Sequence, residues 1–169
     1  MRRSTAALAG ILILMVMLGV LFLTGGRLDA RLTSASAGAA EYPQAFESIC
    51  ALLEADSVPQ RFTDADVPAA DGCRLEDVTI TLRNNGLIPA EWVYIKADGA
   101  PGDIAVYSIT GEGGTVAPRS TATVNLKLIS DVRGTGSRTY HIEYYVYGMK
   151  RSITLQQGGG EGGAPRAGA

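Results

Sequence analysis

The chain has 169 residues, 46% of them hydrophobic, and a formal net charge of −2. Once an apolar N-terminal run is set aside, this length suffices for one domain with its own core and is too short for two. The sequence lacks the concentrated basic face that nucleic acid requires, so we expect no nucleic-acid partner.

The apolar run covers residues 6–23 and contains no charged residue. Its 18 residues would form a helix of about 27 Å, close to the roughly 30 Å of a hydrocarbon core. A cleavable signal has a shorter apolar region closely followed by a small-residue cleavage site, whereas the small-residue sites here lie at 35–39. We therefore predict a retained signal anchor, a transmembrane helix, over residues 1–24, with cleavage near residues 37–40 as the alternative.

The charges on the two sides of this run predict its orientation. Arg2 and Arg3 precede it, while Arg27 and Arg31 follow it and are partly offset by Asp29. This bias favours a cytoplasmic N-terminus. We expect a single-pass protein of the cell membrane, in contact with the lipid bilayer through residues 6–23, with its remaining residues outside the cytoplasm.

Composition divides the rest of the chain into three parts. Small and polar residues predict a linker over 25–40, and the Gly-rich end predicts a disordered tail over 157–169. The extracytoplasmic domain would then cover 41–156. It begins with a predicted amphipathic helix at 43–55, because Pro43 suits a first turn and apolar residues recur at the spacing of one buried helix face, at Phe46, Ile49, Cys50 and Leu53.

Cys50 and Cys73 are the only two cysteines. In an oxidising exterior they predict a disulfide, which would join the helix to the domain and stabilise it by roughly 3 kcal/mol. Two separate buried thiols are the alternative, because Cys is a common core residue.

From residue 77 onward the apolar pattern changes to a period of two. It predicts short strands separated by Gly- and Pro-containing turns, at 77–83, 91–96, 103–109, 121–129, 138–147 and 149–155. Such a series favours an antiparallel β-sandwich. The inward positions of two strands would be Ala122, Val124, Leu126 and Leu128 in one, and Tyr140, Ile142, Tyr144 and Val146 in the other.

Three stretches, "VTITLRNNGLIPAEWVYIKADG", "GTVAPRSTATVNLKLI" and "YHIEYYVYGMKRSITL", resemble the immunoglobulin-like sandwiches of the CARDB and LEA type 2 families. The resemblance covers about residues 78–155 and consists of a strand ending in an Asn-containing turn, a Pro turn before a Val/Leu-rich strand, and a closing hairpin. Arg119 stands where Gly would be commoner in that Pro turn. The resemblance implies an immunoglobulin-like fold and a non-catalytic adhesion, scaffold or surface-protection module, and it assigns no site residue.

Patterns for catalysis, cofactors and metals are weak. "GGGEGG" at 158–163 matches a dinucleotide-binding pattern in letters only, since too few residues follow it to form the required helix. His141 is the only histidine and alternates onto a predicted sheet surface. We expect no enzyme activity, no cofactor and no metal site.

The aromatic residues Trp92, Tyr94, Tyr145 and Tyr147 alternate opposite core positions on two predicted strands. If the two strands share a sheet, these rings would form a binding face for a protein, a glycan or a lipid interface. The alternative is that they fill the core.

Two functions fit these features. The first is a membrane-anchored, non-enzymatic binding or scaffold module, accessory to a cell-envelope complex and bound to an unidentified protein partner there. The second is a LEA type 2-like protein that protects against desiccation or stress without a defined partner.

Overall fold

The computed structural model describes residues 10–20, 27–134 and 137–157. Residues 10–20 are helical. Within the described ranges, no helix is both long and apolar enough to cross a membrane. Residues 1–9 and 21–24 of the predicted anchor, residues 25–26 of the predicted linker and residues 158–169 of the predicted tail lie outside the described residues.

From residue 27 onward the described chain is mainly β. One α-helix, α1, covers Pro43–Glu54, and short 3-10 turns cover Ala39–Glu41 and Ala70–Gly72. The strands are β1 (Leu28–Gly38), β2 (Gln60–Arg61), β3 (Cys73–Asn84), β4 (Glu91–Asp98), β5 (Asp103–Thr110), β6 (Thr121–Asp131), β7 (Arg138–Val146) and β8 (Met149–Gln157).

The strands form two antiparallel sheets that pack face to face as a β-sandwich. The larger sheet has the order β1-β3-β6-β5-β2, and the smaller has the order β4-β7-β8. One core lies between them, because the alternate apolar residues of both sheets point inward. The six strands predicted from residue 77 onward are confirmed. Seven of the eight predicted inward residues of β6 and β7 are buried, and Ala122 packs against the core half-buried.

The first strand corrects the predicted linker. Residues 25–40 were expected to be a tether, yet β1 pairs with β3 along its whole length, from Leu28 opposite Asn84 to Gly38 opposite Arg74. Its sequence is rich in Ala and Ser, which have little strand propensity of their own, so the pairing edge of β3 makes it a strand. The end of the domain also differs, since Gln157 belongs to β8 and not to the tail.

The helix α1 packs on the outer surface of the larger sheet, where a second, smaller core forms. Ile49 and Leu53 are 3% exposed and contact a cluster that includes Cys73 and Ile129. The predicted helix is therefore confirmed, and so is its inward face at these two positions. Phe46 and Cys50 are half-buried beside them.

A buried charged network joins the two sheets at the end of the sandwich nearest α1. Arg138 of β7 donates two hydrogen bonds to Asp103 of β5, at 2.7 and 2.6 Å, and a third to Glu76 of β3. All three residues are about 5% exposed. Gln157 extends the network by donating to Glu76 and accepting a 2.9 Å bond from the Tyr140 hydroxyl. Burial alone would lower the pKa of Arg138, but the hydrogen bonds and charges of the two carboxylates outweigh it and hold the pKa above its usual range, so this cation stays charged in the interior.

Removing the guanidinium should strongly destabilise the sandwich. In Arg138→Ala, two buried carboxylates lose their partner, and we expect the free energy of unfolding to fall by about 3–5 kcal/mol. The control is Lys150→Ala, which removes an exposed ion pair with Glu143 and should cost little, because solvent screens such a pair. Urea titration of both variants measures the difference. Equal, small losses would show that the network does not hold the sheets together.

Candidate functional site

Three of the four predicted aromatic residues lie at the outer surface of the smaller sheet. Trp92 and Tyr94 of β4 are 58% and 45% exposed, and Tyr145 of β7 is half-buried beside them. With Glu91 and Gly148, these three rings line an open groove of about 350 Å³. We call it the aromatic groove. Trp92 and Tyr94 therefore do not fill the core.

A β-bulge presents Trp92 to solvent. Between the pairs Glu91–Tyr145 and Tyr94–Glu143, two residues of β4 stand opposite one residue of β7. Trp92 occupies the bulge with φ of +54°, a left-handed conformation that such bulges normally give to Gly. For a bulky side chain this conformation costs on the order of 1 kcal/mol. The exposed ring thus occupies a position that the fold alone would assign to Gly.

The free edge of β4 is covered by the segment between β5 and β6. Gly113 donates a 2.7 Å bond to the carbonyl of Val93, and the Glu112 carboxylate accepts a 2.6 Å bond from the amide of Ile95. Because these backbone groups are already paired, a ligand would approach the outer face of the sheet and not add a strand to this edge.

Tyr147 lies in the turn that joins β7 to β8 and is 55% exposed. Tyr147 and Gly148 have φ of +52° and +71°, the values of the two-residue turn that usually contains Asn-Gly. This ring is not part of the lining of the aromatic groove. The fourth predicted residue therefore lies at the end of the sheet and not on its face.

A larger, more polar groove of about 930 Å³ continues along the same sheet from Tyr94. Its lining includes His141, whose Nε2 lies 2.8 Å from a carboxylate oxygen of Asp98 on the neighbouring strand. Thr154 on the other side lies 3.5 Å from Nδ1. Among the described residues, no three His, Cys, Asp or Glu side chains are placed to hold a metal ion.

Cys50 and Cys73 are both free thiols in the structure, so the predicted disulfide is not formed in it. They lie near one another, Cys50 on α1 and Cys73 at the start of β3. Burial and the neighbouring Cys50 raise the pKa of Cys73 to about 11, and burial also raises the pKa of Cys50. The Cys73 thiol donates to the carbonyl of Pro68. The two cysteines therefore belong to the packing of α1, far from the aromatic groove.

The aromatic residues were predicted from the sequence, but the features of the fold that position them were not. The sequence gives no sign of the bulge at Trp92, because the residue at that position is not the Gly that marks most such bulges. Glu91 and Gly148 complete the groove only because β4 and β7 are neighbours.

No family model matches the chain, and no curated protein matches it significantly. Several solved β domains resemble it. The cupredoxin domain of amoB from Nitrosocaldus yellowstonii is 14% identical, with a TM-score of 0.38 over 77% of this chain and 87% of that one. A FixG-related protein from Vibrio parahaemolyticus is 9% identical, with a TM-score of 0.34 over 75% and 93%. The yeast GGA1_GAE domain is 10% identical, with a TM-score of 0.38 over 58% and 97%. At these values the likenesses do not bear on function.

Because of the strain at Trp92, the usual order of stability between an Ala and a Gly substitution should be reversed at this position. Trp92→Gly should be more stable than Trp92→Ala by about 1 kcal/mol, because only Gly adopts a positive φ without a steric cost. Tyr94, two residues along the same strand, is the control, since Gly there should be the less stable by about 0.5–1 kcal/mol. Denaturant titration of the four variants measures both differences. The same order at both positions would contradict the bulge.

The two thiols should differ in reactivity. At neutral pH, iodoacetamide should modify the half-buried Cys50 in the folded protein and reach Cys73 only after unfolding, since the thiolate is the reactive form. Mass spectrometry of peptides identifies the modified residue. An unmodified protein that is lighter by two hydrogens would show a disulfide instead.

The raised pKa of Cys73 also predicts a loss of stability in alkali. The pKa of Cys73 is about 11 in the folded protein against an ordinary value of 9.0, so folding favours the neutral thiol. The contribution of this thiol to the free energy of unfolding is therefore complete below pH 9 and is lost as the pH rises towards 11. The free energy of unfolding of Cys73→Ala should therefore fall less steeply with pH in that window. If the free energy of unfolding fell equally steeply with pH in Cys73→Ala and in the original protein, the raised pKa of Cys73 would be contradicted.

Proposed function

We propose that the protein is a membrane-anchored module outside the cytoplasm that acts by binding and not by catalysis. Residues 6–23 would be the anchor, and the sandwich, which we propose is immunoglobulin-like, would serve as a scaffold or accessory in a cell-envelope complex. The aromatic groove would bind a protein of that complex.

One observation carries this proposal: an aromatic side chain is held in solvent at a backbone position that favours Gly. Trp92 is the single tryptophan of the chain, and the fold buries other large rings such as Tyr140 completely. A ring that is 58% exposed at an unfavourable backbone position is better explained by a role in binding than by a role in folding. Exposed Trp and Tyr beside a partly buried Tyr are typical of the residues that dominate binding at protein interfaces.

The polar groove supports binding over catalysis. His141 and Asp98 are both on the exposed face, and the Thr154 hydroxyl beside the groove lies 3.5 Å from Nδ1 of this histidine. A nucleophile activated by a base needs a shorter bond of about 2.6–3.2 Å.

The test is crosslinking of the full chain in its native membrane. A photo-reactive group at Tyr94 should form a stoichiometric adduct with one membrane protein, and Trp92→Ala or Tyr145→Ala should each weaken that adduct by about thirtyfold, corresponding to roughly 2 kcal/mol for a dominant interface ring. Thermal unfolding should stay close to that of the original protein.

Tyr42→Ala is the matched control, since Tyr42 is 52% exposed near α1, at the opposite end of the sandwich. Its adduct should be unchanged. If no stoichiometric adduct forms and loss of the protein matters only under drying, the LEA type 2-like function is the correct one. Unfolding of the Trp92 and Tyr145 variants would show instead that these rings are structural.

A further inference from the structure

The strand register places one end of the sandwich next to the predicted anchor. β1 begins at Leu28, opposite the last residue of β3, and the amide of Asn85 donates a 3.1 Å bond to the carbonyl of Arg27. The Tyr144 side chain near the end of β7 is hydrogen-bonded to the backbone of Leu28. We call this the anchor end. It comprises the start of β1 and residues 84–92, 117–121 and 146–151.

The connection between the apolar run and this end is short. The run ends at Leu23 and β1 begins at Leu28, and five residue steps span at most about 18 Å even when fully extended. The headgroup layer outside the hydrocarbon core takes up roughly 6 Å of that distance. If residues 6–23 span the bilayer, the anchor end lies within about 12 Å of the lipid surface.

The anchor end presents apolar side chains to solvent. Leu87, Tyr147 and Met149 are 56%, 55% and 37% exposed there, and Trp92 borders them at the start of β4. Aromatic side chains of this kind are enriched at the membrane–water interface.

The loop that carries Leu87 is fixed by a buried asparagine. Asn84 is fully buried, and its side chain donates to the carbonyls of Ile88 and Val116, at 2.7 and 3.0 Å, and accepts a bond from Gly86. The apolar side chains are therefore displayed by rigid turns, which lowers the entropy cost of placing them at a surface.

The two ends of the sandwich differ in charge. Five bases and three acids lie at or beside the anchor end, namely Arg27, Arg83, Arg119, Lys150 and Arg151 against Asp29, Glu91 and Glu112. The opposite end, at residues 39–72, has seven acids and one base, namely Glu41, Glu47, Glu54, Asp56, Asp64, Asp66 and Asp71 against Arg61. An anionic lipid surface would attract the first end and repel the second.

From these observations we propose that the anchor end docks on the headgroup layer of the membrane in which the chain is anchored, through Leu87, Tyr147, Met149 and the surrounding bases. The inference rests on the proposed anchor. Docking would hold the sandwich upright, with α1 farthest from the lipid. The aromatic groove would then open just above the membrane, so its protein partner must itself lie in the membrane plane.

Trp92 makes the docking directly measurable, because it is the single tryptophan and borders the docking residues. The full chain is reconstituted into nanodiscs of phosphatidylcholine and phosphatidylglycerol in equal parts, with or without a lipid that carries a nitroxide on its headgroup. Docking predicts strong quenching of Trp92 by the nitroxide lipid, because the ring borders the docking residues. It also predicts weaker quenching by iodide than in an undocked domain, because only the groove side of the ring stays open to water.

Two substitutions should abolish the quenching while the fold is kept. Tyr147→Asn installs the Asn-Gly pair that this turn prefers, and Leu87→Asp places a negative charge on an exposed loop. In the double variant, quenching by the nitroxide lipid should be lost and iodide should reach Trp92. Tyr42→Asn, the same change on an equally exposed tyrosine at the opposite end, should leave both signals unchanged.

The possible outcomes distinguish membrane docking from the proposed anchor on which it depends. A chain that fails to enter the discs overturns the anchor and, with it, the docking. A chain that enters the discs but whose Trp92 is quenched by iodide and not by the nitroxide lipid overturns the docking and leaves the anchor intact. Quenching that persists in the double variant overturns the assigned docking residues.

Discussion

The pairing of β1 with β3 is the constraint on which the organisation of this protein depends. It extends the larger sheet by an eleven-residue strand whose side chains are mostly small. Hydrogen bonding to the edge of β3 holds it in place, together with burial of Leu28 and partial burial of Ala30 and Leu32 against the core. The pairing turns the expected flexible tether into part of the sandwich. It also decides which end of the domain lies nearest the apolar N-terminal run, and therefore how the domain can be oriented at a membrane.

The opposite end is held by the network of Arg138, Asp103 and Glu76. It contains two carboxylates and one guanidinium, so it retains a net negative charge in the interior. Hydrogen bonds from Gln157 to Glu76 and from the Ala100 amide to Asp103 satisfy further carboxylate oxygens, which is how a buried charge cluster becomes tolerable. Because its members come from both sheets, the network fixes how the sheets face each other. The aromatic groove, at the other end of β4 and β7, is thereby displayed on a rigid scaffold.

The sequence predicted the sandwich wherever side chains alternate strongly, as in β6 and β7, because burial of one face of a strand leaves a pattern of period two. It failed for β1, where only Leu28, Ala30 and Leu32 at the start of the strand face the core, and the next inward positions, Ser34 and Ser36, are exposed and give no apolar signal. It also failed for the charged network, although Glu76 and Arg138 share the inward parity of Val78 and Tyr140 and could have been noticed. The groove was predictable as a set of rings; the bulge that exposes Trp92 was not, since a positive φ depends on the strand pairing and not on local sequence.

Hydrogen exchange of the full chain shows directly whether Leu28–Gly38 is an integral strand or a tether. The amides of this segment that point toward β3 should exchange as slowly as those of β3 itself, because they open only when the sheet does. Exchange throughout the segment at the rate of an unstructured peptide would contradict it. The anchor end would then be separated from the apolar run by a long flexible chain, and the orientation argued above would have no physical basis.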